Sequence, residues 1–299
     1  MRIDLSTKTW TYGCEHELAD WDATKLPEGF DRDPEPNIVN SNGIAADPSL
    51  KSYNYGGEIN TNPTHSIESQ GSELFRFLKL CPKAKANWRC GLHVHIRIPG
   101  LIKNLPALKR LAKFVFESKQ IYDFVDPLPI PTPEEFQDHY PQARKRFNWM
   151  KMSHKTVIPH YRVEKQLKAK SVEEFMKLEV PRATSGKPLW HAQPRAGINL
   201  RQLLQTDTIE FRHFPATTDP QEVINAIKFC RDYLLCCFDG ETITSLEKRY
   251  QGTKFPTLDT IYIHWQEERW KRTSISKVSR AEVDRNIRRI LQEDAWPPC

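Results

Sequence analysis

The segment Cys90-Gly91-Leu92-His93-Val94-His95-Ile96-Arg97 alternates reactive and apolar side chains with a period of two. In an extended strand residues i and i+2 share a face, so His93, His95 and Arg97 line one side and Leu92, Val94 and Ile96 the other. A helix would scatter the same side chains around its axis. The stretch therefore commits the chain to a β-sheet with one chemical face and one apolar face. Residues 12–18 repeat the pattern by placing Glu15 and Glu17 together. Residues 208–212 repeat it again, with Glu210 and Arg212 on one face and Ile209 and Phe211 on the other.

Helical periodicity lies between these strands. Residues 66–80, closing at Cys81-Pro82, space Ile67, Leu74, Phe75 and Leu78 as one stripe. Residues 101–124 carry Leu105, Leu108, Leu111, Phe114, Val115 and Ile121 in the same way. Asp219-Pro220 opens a helix through Phe238, because Pro is tolerated in the first turn behind an Asp cap. Residues 280–291 read as an exposed amphipathic helix, and 196–200 and 206–214 as short β-runs. This mixed order, without regular strand–helix alternation, predicts an α+β fold with an antiparallel sheet.

One domain over 1–299 is the expectation. Pro127, Pro129, Pro131, Pro133 and Pro141 break the middle, giving an insertion at about 127–190 and a helical C-terminal portion from about 219. The part at 134–177 is polar, basic and aromatic, and reads as partly helical or as a long active-site insertion. Basic residues also cluster at 103–113 and beyond 265, and such runs are ordinarily solvated helix faces.

Charge and composition narrow the partners. A net charge of +6 suits an anionic ligand such as ATP and leaves nucleic acid open. No apolar run approaches the roughly 20 residues of a membrane span, and Met1-Arg2-Ile3-Asp4 lacks a signal-peptide core, so a cytoplasmic protein without a membrane partner is expected. Seven scattered cysteines without a C-x-x-C pair argue against a disulfide framework or a zinc knuckle, and read as idle thiols.

A lone E-x-E or H-x-H is often just the wet face of a half-exposed strand. Three such segments in one chain point to a shared site. Clustered carboxylates raise one another's pKa unless a cation neutralises them, and an oxygen-rich set with an imidazole suits Mg²⁺ or Mn²⁺ better than zinc. A fourth segment adds Asp47, in Asp47-Pro48-Ser49-Leu50, and Glu58, behind Gly56-Gly57. Asp47 alone also fits a turn, whereas paired glycines before a carboxylate suggest close backbone approach to a ligand.

In order and spacing these motifs resemble the amidoligase branch of the glutamate–cysteine ligase and glutamine synthetase superfamily. The resemblance runs through residues 9–215. It rests on G-C-E-H-E at 13–17, D-P-S-L and G-G-E-I at 47–59, G-L-H-V-H at 91–95, and N-L with T-I-E-F-R at 199–212. It implies an antiparallel sheet funnel that binds ATP and Mg²⁺. By position, Glu15, Glu17, Asp47, Glu58, His93 and Glu210 match the family's metal set, with His95 as a further member. Arg212 matches the arginine that contacts the transferred phosphate, which makes Arg212 and Glu210 the catalytic candidates. The family's D-G-S loop reads Asp47-Pro48-Ser49 here, a departure at one metal ligand.

The reaction implied is ATP-dependent amide-bond formation between a small-molecule or peptide carboxylate and an amine, through an acyl phosphate. Arg195 and Arg201 are candidates for binding ATP phosphates or an anionic substrate, and Arg144, Arg146 and Lys151 for a lid. Two rivals stand beside it. A metal-dependent hydrolase or nuclease would use the same ligands to activate water without ATP. A relative that has lost catalysis would bind nucleotide or nucleic acid without turnover, the basic and aromatic middle segment serving as a groove.

Overall fold

The computed structural model describes residues 4–22, 27–32, 43–45, 56–86, 90–118, 160–179 and 197–256. Its strands are β1 (Thr11–Ala19), β2 (Asp31–Arg32), β3 (Gly43–Ala45), β4 (Gly56–Asn60), β5 (Gly91–Arg97), β6 (Ile198–Asn199) and β7 (Ile209–Pro215). They form one sheet in the order β2-β3-β4-β1-β5-β7-β6. Every neighbouring pair is antiparallel except β2 with β3. The helices are α1 (Ile67–Leu80), α2 (Leu105–Glu117), α3 (His160–Lys168), α4 (Val172–Lys177), α5 (Pro220–Asp239) and α6 (Ile243–Arg249). The expected α+β class with an antiparallel sheet holds.

The apolar face of the sheet makes the core. Leu92, Val94 and Ile96 of β5, Cys14 and Leu18 of β1, and Ile209 and Phe211 of β7 are all fully buried. Helix α1 packs against β1, α5 packs against β5, and α1 and α2 both pack against α5. Each large aliphatic side chain buried there contributes roughly 1.5–3 kcal/mol. Gly71 lets α1 and α5 meet closely, because a Cβ there would lie 2.9 Å from both the Ile224 side chain and the Pro220 carbonyl.

Side-chain caps set the helix starts, satisfying backbone donors that a helix leaves open. Ser66 Oγ accepts from the Ser69 N–H, Asn104 from Ala107, and Asp219 from Gln221. The cap at Asn104 explains one departure from the sequence pattern. The stripe over 101–124 divides into a short 3-10 turn, Leu101–Lys103, and α2, with Asn104 between them. Its last residues, Ile121 and Phe124 included, lie outside the described residues.

The run at 196–200 is also shorter than expected. Asn199 Oδ1 accepts from the Arg201 N–H and turns the chain into a 3-10 segment, Leu200–Leu204. Strand β7 starts at Ile209, later than 206, because Asp207 adopts a left-handed turn with φ 57°. Helix α6 was not anticipated; Thr242 caps it through the Ser245 N–H. Helices α3 and α4 fall within the proposed insertion, where both pack against α2. The helix expected at 280–291 lies outside the described residues. The six described cysteines are free. No helix among the described residues is long and apolar enough to cross a membrane.

Candidate metal centre

Strand register assembles the chemical face. Side chains of directly paired residues share a face. Across β1 and β5, Glu15 pairs with His93, and across β5 and β7, His95 pairs with Glu210. On the other flank of β1, Glu17 pairs with Glu58 and Glu15 with Asn60. Asn199 of β6 pairs with Glu210. Residues distant in sequence thus become neighbours in three strands and their edges. Leu92 pairs with Phe214 and Val94 with Phe211, so β7 bulges opposite His93. Bulges of this kind re-aim side chains beside functional sites, and Arg212 sits within this one.

The contacts are short. His93 Nδ1 lies 2.6 Å from Glu15 Oε2 and 3.6 Å from Glu210 Oε1. His93 Nε2 lies 3.9 Å from Glu17 Oε1, and His95 Nε2 lies 3.0 Å from Glu15 Oε1. The Gly91 N–H donates to Glu17 Oε2 at 2.6 Å. Arg212 Nη1 donates to Glu210 Oε1, and Asn199 Nδ2 donates to Glu210 Oε2. One ligand atom each of Glu15, His93 and Glu210 falls within 4.8 Å of the others, and all three residues are buried.

Burial makes this arrangement demanding. Glu15 is 8% exposed and Glu210 is 0% exposed. At the 4.8 Å limit two carboxylates repel by about 3 kcal/mol at an effective dielectric of about 20. Burial pushes the Glu15 carboxyl up, but His95 and His93 outweigh it and hold Glu15 well below the usual carboxylate range. Burial likewise opposes the charge on Glu210, and Arg212 prevails over it and over repulsion from Glu15, lowering Glu210. Burial presses His95 toward neutrality, but Glu15 and Glu210 raise it above its ordinary value. The carboxylates are therefore ionised in the folded protein, and the site is built to hold positive charge.

Six of the expected site residues are brought together on this face: Glu15, Glu17, His93, His95, Glu210 and Arg212. Glu58 joins them through its pairing with Glu17 and is partly exposed. Arg201 is buried directly after the Asn199 turn. Asp47 and Arg195, like Pro48, Arg144, Arg146 and Lys151, lie outside the described residues.

Sequence reasoning assigned no role to Asn199, Gly91, Asn60 or Thr208. Asn199, Gly91 and Thr208 stood inside the quoted motifs, yet their roles depend on partners in other strands. Gly91 leaves space as well as donating its N–H, since a Cβ there would meet His93 Nε2 at 3.1 Å and Glu17 Oε2 at 3.3 Å. Asn60 is fully buried on the site face beside Glu15. Thr208, two residues before Glu210, could have been found by the same period-two rule.

Comparison with known families agrees with this geometry. The family model described as "Putative amidoligase enzyme" matches residues 16–234. That span contains Glu17, Glu58, His93, His95, Glu210 and Arg212, and begins one residue after Glu15. No curated protein matches the chain. The match covers well over half of the sequence, and the chain belongs to this amidoligase family.

Proposed function

We propose that this amidoligase-family chain is an ATP- and Mg²⁺-dependent carboxylate–amine ligase. The observation that carries the reading is the buried Glu15–His93–Glu210 cluster with Arg212 bonded to Glu210. The donor set fits a hard divalent ion, with carboxylate oxygens in the majority and imidazoles beside them. Glu15, Glu17, Glu58, His93, His95 and Glu210 would hold Mg²⁺ or Mn²⁺, and Asp47 joins them by motif position. When bound, the ion supplies charge neutralisation to the phosphates of ATP.

The chain's own groups then have distinct tasks. The substrate carboxylate oxygen attacks the γ-phosphorus of ATP, the bond to the bridging oxygen breaks, and ADP leaves. Arg212 is 26% exposed along its side chain while its Nη1 donates to Glu210, so the guanidinium is fixed at one edge and partly accessible. There it neutralises charge on the transferring phosphoryl oxygens. The amine attacks the acyl carbon, phosphate departs, and the amine gives up a proton as the amide forms. Arg201 and Arg195 are proposed to bind phosphate or an anionic substrate. A small-molecule or peptide carboxylate and an amine are the substrates of this reading, in a sheet funnel of the glutamine synthetase and glutamate–cysteine ligase type.

The test is ADP and phosphate release from ATP with Mg²⁺ across a panel of carboxylates and amines. Release should require one carboxylate–amine pair, vanish in Glu210→Gln, and fall on the order of 10³-fold in Arg212→Ala. Metal-dependent hydrolysis without ATP would replace the ligase by a hydrolase. ATP binding with no turnover on any pair would leave a binding protein.

A further inference from the structure

His95 is held from both sides. Its Nε2 lies 3.0 Å from Glu15 Oε1, and its Nδ1 lies 3.0 Å from Thr208 Oγ1. Thr208 Oγ1 in turn lies 2.6 Å from Thr206 Oγ1, which donates to the Gln202 carbonyl at 3.2 Å. A carbonyl only accepts, and a hydroxyl has a single proton to give. The Gln202 carbonyl also accepts the Gln205 and Thr206 N–H groups, at 3.1 and 2.8 Å, and either threonine hydroxyl can donate to the other. When Thr208 gives its single proton to Thr206, its oxygen is left as an acceptor for His95 Nδ1–H. That arrangement puts a proton on Nδ1 of His95.

The consequence appears on the opposite edge of the ring. With Nδ1 turned to Thr208, Nε2 is the ring atom that faces Glu15 Oε1. These two atoms lie 3.0 Å apart, close enough to share a proton or, in its place, a metal ion. The turn carrying the threonines is itself anchored, since Arg97 Nε donates to Asp207 Oδ2 at 2.8 Å. His95 is 4% exposed, so bulk water does not reorient it readily.

We infer that Thr208, backed by Thr206, is a positioning residue that orients His95 so that Nε2 and Glu15 Oε1 form adjacent ligand atoms for the divalent ion. The inference rests on the metal reading of the site. It matches the general pattern in which a metal-binding histidine donates its second ring N–H to a fixed acceptor. It gives Thr208, the first residue of the T-I-E-F-R motif, and Thr206 behind it a role that touches neither substrate nor ion.

Two measurements on the full chain test it. Mn²⁺ affinity is measured by calorimetry, and the protonated nitrogen of His95 is read from ¹⁵N–¹H correlation spectra of the metal-free protein. Thr208→Val keeps the side-chain shape and removes the acceptor, while Thr208→Ser restores it. The Val variant should bind Mn²⁺ on the order of 10–100-fold more weakly and lose the Nδ1–H signature. The Ser variant should match the parent in both. A Val variant with unchanged Mn²⁺ affinity, or a parent protein with His95 protonated on Nε2 alone, would overturn the inference. If the parent binds no Mn²⁺, the metal reading fails, and with it the ligand role of His95. The spectra then still decide whether Thr208 orients the ring.

Discussion

Four histidines of this sheet occupy two opposite environments. His93 and His95 lie on the chemical face among Glu15, Glu17 and Glu210. His16 alternates with Glu15 and Glu17 and therefore points into the apolar face. There it is 1% exposed, and neither ring nitrogen has a hydrogen-bond partner among the described residues. His213 packs edge-on to Phe211 and tilted against Phe214 in the β7 bulge, with centroids 5.8 Å and 4.3 Å away. All four are buried, so burial does not separate them. Neighbouring charge does. Carboxylates raise His95, whereas His16 and His213, with burial as the leading cause, are pushed down to about 4. A buried histidine is therefore a candidate ligand only where anionic groups meet it.

The contrast breaks most sharply if the two faces are tested by matched substitutions. Glu15→Gln removes the carboxylate that contacts both site histidines, and Mn²⁺ affinity should fall at least about 100-fold in a calorimetric titration. His16→Leu removes an imidazole from the apolar face. It should leave Mn²⁺ affinity unchanged and stabilise the fold by about 1 kcal/mol, because a buried polar group without partners is lost. Loss of metal binding in the His16 variant would erase the distinction between the faces.

An acid titration sharpens the comparison. The folded pKa of His213 lies near 4, below its ordinary 6.5, so between these values the unfolded chain binds the extra proton. The stability contributed by neutral His213 is complete above about pH 6.5 and is lost as pH falls toward 4. That loss is about 3 kcal/mol for the single group. Denaturant midpoints of the parent should fall over this window, and His213→Leu should flatten that part of the curve. An unchanged slope would show that His213 does not titrate as the apolar face requires.

The smallest effect concerns a helix start remote from the charges. Ser66→Ala removes the cap of α1 and should cost about 1 kcal/mol in thermal or denaturant unfolding. Mn²⁺ affinity should not move. A change in affinity would mean that α1, on the far side of the sheet, tunes the site through β1.

Much of the site was legible because a strand's period of two is local. Glu15 with Glu17, His93 with His95, and Glu210 with Arg212 each share a face for reasons contained in three consecutive residues. The helix starts at Ser66 and Asp219 were legible for the same reason, since a cap acts within one turn. The split at Asn104 and the late start of β7 were not, although their causes are local. Each turns on a single residue whose conformation, capped or left-handed, the hydrophobic pattern does not record.

What the sequence alone determined is thus the pairing of reactive groups within each strand and the division of the sheet into a charged and an apolar face. Which strands adjoin was left to the tertiary structure, because register depends on contacts between residues as far apart in sequence as Gly91 and Pro215. The order β4-β1-β5-β7-β6 alone places Glu15 against His93, His95 against Glu210, and Asn199 behind Glu210. The contact between His95 and Thr208 was decided there too, because Thr208 reaches the ring from the turn just before β7.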